Sequence, residues 1–229
     1  MTPLTAPKIF VVMAAYNEAE AIRPVVDSLL SAYPQVVVVD DASTDRTVEA
    51  LKDSPVYLLR HCVNRGQGAA LQTGLEFALS RGAEIVVTFD ADGQHDVKDI
   101  AAMVGPLLAG ECEVTLGSRF LGKTEGMPLT RRLILRAGVL FTRVFSRIRV
   151  SDIHNGLRAF SCRAAAHIHL EMDRMAHASE ILDQIQQSGL RYREVPVTIR
   201  YTSYSIGKGQ SSWNAVRIAL ELLLRRKLV

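Results

Sequence analysis

A single-domain α/β fold, with a mostly parallel sheet flanked by helices, is predicted by three features of the 229-residue sequence. Short β-branched runs alternate with helix-period segments through the first 117 residues, the pattern of successive strand–helix units. The strand runs are almost continuously apolar, as strands covered on both faces must be. Polar clusters stand immediately after these runs, where an open parallel sheet keeps its ligand crevice.

Taken in order, strands are expected at Ile9 to Met13, Val36 to Val39, Val56 to Leu59, Ile85 to Phe89 and Val114 to Leu116. Helices are expected from about Glu18, Asp45, Gly68 and Val97, each opening on a polar or Gly-bearing turn. After Gly117 come a Gly/Thr loop (Gly122 to Gly126), an arginine-rich helical segment, a strand-like turn at Gly156 to Phe160 and a helix from His177 to Gln187. Arg191 to Arg200 alternates as a last strand, and the polar loop YTSYSIGKGQSS leads to an amphipathic helix from Trp213 to about Lys227.

Composition narrows the classes. With 48% hydrophobic and 22% charged residues the chain can bury a conventional core, which excludes a coiled coil, a collagen or a disordered chain. Cys62, Cys112 and Cys162 are single and widely spaced, as expected in a reducing compartment. No apolar run reaches the roughly 18 residues of a spanning helix, and MTPLTAPK lacks the basic and apolar regions of a signal peptide, so a cytoplasmic location is expected. A net charge of +3 gives no ground for nucleic-acid binding, but Arg131 to Arg149 holds six arginines and no acid.

Phe89-Asp90-Ala91-Asp92-Gly93-Gln94-His95 is the most specific motif. Two carboxylates at i and i+2, where a strand becomes a loop, suit a hard divalent cation with positions left open for diphosphate oxygens and water. The plainer reading is a solvated acidic turn. Strand two ends in Asp40-Asp41-Ala42-Ser43-Thr44-Asp45 and strand one in Ala15-Tyr16-Asn17-Glu18. Asp40 or Asp41 could accept from a base N–H or a ribose hydroxyl beneath Tyr16, with Asp45 capping the next helix. Asn64-Arg65-Gly66-Gln67-Gly68 opens a helix on a Gly-rich turn suited to phosphate or close backbone approach. As a dinucleotide fingerprint it lacks the third glycine and follows the wrong strand, so an NAD site is a weak rival. GxSxG, GxxxxGK[ST] and HExxH are absent, and the six histidines are scattered.

Together AAYNE, VVDDASTD, NRGQGAA, FDADGQH, GSRF and SDIHNGLRAF resemble, in order and spacing, a family 2 glycosyltransferase of the GT-A fold. The branch they are most similar to is the dolichol-phosphate and polyprenyl-phosphate mannosyl or glucosyl synthases. The resemblance covers roughly residues 8 to 200. It implies a nucleotide-sugar half (8–117) and an acceptor half (118–229) within one domain. It further implies that Ala15, Tyr16, Glu18, Asp41, Asn64, Gly66 and Gly68 hold the nucleoside, and that Asp90, Ala91, Asp92 and Gln94 meet the diphosphate. Asp90, Asp92 and Gln94 would hold Mg²⁺ or Mn²⁺. Arg119, with Arg131 or Arg132, would approach an acceptor phosphate, and Asp152 would be the acid near the reaction centre. Gln67, Leu135 and Asn155-Gly156 depart from the family's usual basic residue, Ser and Ser-Gly.

The expected reaction is an inverting transfer of a hexose from a UDP- or GDP-sugar to a polyprenyl phosphate or lipid-linked glycan. A phosphate acceptor needs cations, for which Arg119, Arg131, Arg132 and Lys208 are candidates; a sugar hydroxyl needs a base, for which Asp152 or Glu180 is. Rival classes are a soluble hydroxyl acceptor, a sugar-phosphate nucleotidyltransferase and a non-enzymatic nucleotide-sugar binder. The arginine-rich segment and the final helix suit the inner face of a membrane, with a homodimer contact as the alternative use.

Overall fold

The structure is a computed structural model that describes residues 6–127, 132, 135, 139, 148–172 and 176–201. In chain order the elements are β1 (Ile9–Ala15), α1 (Ile22–Leu30), β2 (Gln35–Asp40), α2 (Thr47–Ala50), β3 (Tyr57–Arg60), α3 (Gln67–Ser80), β4 (Ile85–Thr88), α4 (Asp99–Leu108), β5 (Val114–Glu125), β6 (Arg158–Ser161), α5 (Cys162–His167), α6 (His177–Gln187) and β7 (Tyr192–Arg200). One seven-stranded sheet runs β3-β2-β1-β4-β6-β5-β7. β6 is antiparallel to both its neighbours, and the remaining pairs are parallel.

The apolar runs explain the layers. Residues alternate between the faces of a strand, so Phe10, Val12, Val37 and Val39 pack toward α3, α5 and α6, while Val11, Met13, Val36 and Val38 pack toward α1 and α4. Both faces are closed, which leaves the strand ends as the place for polar chemistry.

Three expectations are corrected. The Gly/Thr stretch after Gly117 continues β5, because β7 pairs with it through Thr198, Ile199 and Arg200 after a register shift between Ser118 and Lys123. The helix expected from Asp45 is only the four residues of α2, and the one expected from Glu18 begins at Ile22 after a turn. The short α5 was not anticipated. Arg131, Lys208, most of the arginine-rich segment and the final helix lie outside the described residues.

Candidate active site

The carboxyl ends of β1, β2, β3 and β4 lie side by side and carry the polar clusters. Ala15 closes β1, is buried, and accepts at its carbonyl from the amide of Asp41 (2.8 Å). Tyr16 follows at the mouth, 45% exposed. Asn17, at φ 55°, accepts from the amides of Thr44 (2.8 Å) and Asp45 (3.3 Å), so the ends of β1 and β2 are tied together. Asp45 accepts from the amide of Thr47 at the start of α2, the capping task expected of it.

The Asp40-Asp41 pair departs from the expected picture. Asp40 is closed to solvent; it accepts from the amide of Ser43 (3.3 Å) and faces Arg60 Nε at 3.7 Å. Asp41 is also sealed, and its carboxylate accepts from the amides of Arg65 (2.9 Å) and Gly66 (2.6 Å) and from His61 Nδ1 (2.8 Å). Asn64 Nδ2 donates to the Asp41 carbonyl at 3.2 Å. Asp41 is therefore the dock of the 64–66 turn, where Gly66 supplies the φ of 99° that opens α3. Gly68, one residue into α3, lies so close to the Met172 carbonyl that a Cβ would overlap it.

Beyond β4 stands the acidic pair. Asp90 accepts from Gln67 Nε2 (3.2 Å) on one oxygen and from His95 Nε2 (2.9 Å) on the other. Burial pushes its carboxyl up, but the His95 hydrogen bond and the charges of His95, Arg158 and His177 outweigh this and hold it below the ordinary value. Asp92 behaves oppositely: burial first, then the charge of Asp90, with a contribution from Glu18, pushes its carboxyl up to about 6. Ala91 between them is buried, and the Gln94 amide donates to Asp92 at 3.0 Å. Two hard-oxygen donors repelling one another fit a divalent cation, and Gln94 is two residues away. Among the described residues no group of three or more His, Cys, Asp or Glu gathers to hold an ion.

The acceptor-side candidates form a second cluster beside the first. Arg119 Nε donates to Asp152 Oδ2 (2.6 Å), its terminal nitrogens donate to the Tyr201 hydroxyl (2.7 Å) and the His154 carbonyl (2.9 Å), and its amide also donates to Asp152 (3.0 Å). Burial alone would lower the guanidinium's proton affinity, but Asp152 and Tyr201 raise it. Arg158 joins the two clusters: burial lowers it to about 10, against the opposing pull of Asp90 and Asp152. Gly156 packs on Asp90, where a Cβ would overlap both carboxylate oxygens. Arg132 is an exposed helical residue. Glu180 accepts from the amides of Glu171 and Met172 (3.0 Å each), so the geometry makes it a brace for that loop instead of a base.

The sequence alone did not single out His61, Arg158 or Tyr201 as neighbours of these candidates. His61 carried a usable signal, since it directly follows β3 at the same sheet edge as Asp41.

Comparison with known proteins places the chain in a family. A protein of Methanocaldococcus jannaschii described only as uncharacterized is 38% identical over 96% of this chain and 92% of its own length. The UDP-N-acetylglucosamine–dolichyl-phosphate N-acetylglucosaminyltransferase of Methanococcus voltae is 33% identical over 94% of this chain and 95% of its own. Glucosyl-3-phosphoglycerate synthase of Mycobacterium tuberculosis, solved with uridine diphosphate, has the same fold (TM-score 0.72, 22% identity, 94% of this chain and 80% of that one). The sequence model described as glycosyl transferase family 2 matches residues 10–168, and with sheet, strand-end carboxylates and relatives in accord, the chain belongs to that family.

Proposed function

We propose that the chain transfers a hexose, with inversion, from a UDP- or GDP-sugar to the phosphate of a polyprenyl-phosphate lipid, with Asp90, Asp92 and Gln94 holding Mg²⁺ or Mn²⁺. The observation that carries the choice of acceptor is the Arg119–Asp152 pair. Oδ2 of Asp152 accepts two hydrogen bonds from Arg119, and Asn155 Nδ2 lies 3.4 Å from the same oxygen. A carboxylate so engaged is a poor general base, and an anionic phosphate acceptor requires none. The Methanococcus voltae relative, whose name gives a dolichyl-phosphate acceptor, supports the same reading.

The cation, when bound, supplies neutralisation of the charge that grows on the leaving diphosphate. The chain's own residues do the rest. The docked 64–66 turn and Tyr16 border the nucleoside end, with Ala15, Glu18 and Gly68 around it. Glu18 sits close enough to raise Asp92 and so adds to the negative field that draws a cation in. Arg119, which gives hydrogens to Asp152, Tyr201 and His154, is the cation proposed to lie nearest the acceptor phosphate. Arg131, Arg132 and Lys208 are the further cations proposed for the lipid phosphate. Among the described residues no helix is long and apolar enough to cross a membrane, and the arginines of 131–149 are proposed to meet anionic headgroups at the inner face.

The test is a product assay with Mn²⁺ and UDP- or GDP-sugars against a short polyprenyl phosphate, the matching free polyprenol and a soluble oligosaccharide. Transfer to the phosphate alone, with a β-linked product from an α-linked donor by NMR, is the expected result. Transfer to the oligosaccharide alone overturns the acceptor, and a retained α linkage overturns the displacement.

A further inference from the structure

We propose that His61 is a positioning residue for the nucleoside end of the donor, acting through Asp41; the inference rests on the donor reading above. A carboxylate only accepts, so Nδ1 of His61 carries the hydrogen of the 2.8 Å contact with Asp41. The other ring nitrogen lies 3.0 Å from Thr73 Oγ1, which is itself 3.0 Å from the Ala69 carbonyl one turn earlier on α3. The main chain of His61 is fixed as well, its amide donating to the Asp40 carbonyl at 2.9 Å. One ring thus spans from the end of β2 to the body of α3, and its side chain is 11% exposed.

What the ring holds is the turn. Asp41 receives the amides of Arg65 and Gly66, and no side chain caps the start of α3, so the dock on Asp41 sets where that helix begins. Gln67, its first residue, reaches on to Asp90. Contacts therefore run from His61 through Asp41 and the turn to the acidic pair, and misplacing the first link shifts the last. An Asp–His–hydroxyl row is also the order of a nucleophile relay, but here the hydroxyl oxygen lies on α3 within 3.0 Å of both the ring and the Ala69 carbonyl of the same helix, so the row ties strand end to helix and holds position.

The test uses the full chain with His61→Asn, His61→Gln and Thr73→Val. The amide nitrogen of Asn occupies the place of Nδ1 and keeps the donor to Asp41, whereas that of Gln matches the outer nitrogen and loses it. Binding of UDP and of GDP is measured by calorimetry in EDTA, together with donor KM, kcat and melting temperature. Losing one hydrogen bond to a buried charge should weaken binding of the nucleotide that the native chain takes roughly tenfold in His61→Gln, with donor KM rising in step and kcat within about twofold. His61→Asn should recover most of the affinity, and Thr73→Val should fall between. Native affinity in His61→Gln and Thr73→Val, whatever their melting temperatures, overturns the proposal by leaving His61 a purely structural role. Should His61→Gln not fold, the near-isosteric Thr73→Val decides by the same readout. A native chain that binds neither nucleotide, with Mn²⁺ present as well as in EDTA, overturns the donor reading itself, a result distinct from the failure of His61.

Discussion

Arg119 gives both its main-chain amide and its Nε–H to one oxygen of Asp152, at 3.0 and 2.6 Å, in a pair whose side chains are only 6% and 1% exposed. Two charges out of water are tolerated only when geometry and further hydrogen bonds offset the desolvation. Here Tyr201 and the His154 carbonyl supply them. The same contacts fix the end of β7 against β5, and the Arg200 amide continues the connection to the carbonyl of Gln94 at 2.9 Å. The acidic loop and the acceptor cluster are in this way parts of one rigid corner.

Asp152→Asn should therefore act on the fold as well as on turnover. An amide leaves the guanidinium buried without its counter-charge, and breaking one partner of such a pair costs about 3–5 kcal/mol. Urea unfolding measures this loss. An unchanged midpoint would mean that the pair is not held together electrostatically. Arg119→Met with Asp152→Leu should regain much of the lost stability while remaining inactive.

Gly156→Ala places a methyl group on the Asp90 carboxylate. The main chain cannot easily withdraw, because Thr88 Oγ1 donates to the Gly156 carbonyl at 2.7 Å. Disturbing the seat of a ligand typically lowers metal affinity about 10–100-fold, so Mn²⁺ binding followed by electron paramagnetic resonance should weaken by at least about tenfold. Native Mn²⁺ affinity in this variant removes Asp90 from the proposed cation site.

Glu180→Gln tests a brace against a base. Its carboxylate takes the amides of Glu171 and Met172, and an amide side chain offers one acceptor oxygen in place of two. Stability should drop by about 1 kcal/mol, with turnover within about twofold of native. Collapse of turnover at unchanged stability would restore the catalytic alternative.

The sheet was legible where its strands are uniformly apolar. Val36 to Val39 and Ile85 to Val87 leave little choice of structure, since a run buried on both faces has few other places to go. β5 was cut short because glycine and threonine read as loop, and only the presence of β7, some 70 residues on, supplies the pairing that keeps the segment extended. The antiparallel insertion of β6 between β4 and β5 is likewise a long-range choice with no local mark. In the site, Asp90 and Asp92 stood out as candidates because two carboxylates at i and i+2 after a strand are conspicuous in the sequence itself. The partners of Asp41, Asp152 and Glu180 were not legible, because each lies distant in sequence: Arg65 and Gly66, Arg119, and the 171–172 amides.

Asp92→Asn should stabilise the metal-free protein while removing its activity. Burial and the Asp90 charge hold the Asp92 carboxyl up to about 6, above the value of about 3.9 expected when unfolded. Between those values the folded chain binds the extra proton, so native stability falls as pH rises from about 4 to about 6 and stays reduced above that. Asn keeps the shape without the charge. In EDTA at pH 7 the variant should gain on the order of 1–3 kcal/mol over the native chain, a difference that vanishes below about pH 4. Mn²⁺ should then reverse the order, raising the native melting temperature by mass action and leaving the variant unmoved. Thermal unfolding at pH 4 and 7, with EDTA or Mn²⁺, gives all four values, and donor turnover gives the fifth. A variant no more stable than native at pH 7 in EDTA would show that Asp92 is not under repulsion, and full turnover in the variant would take the cation away from this carboxylate.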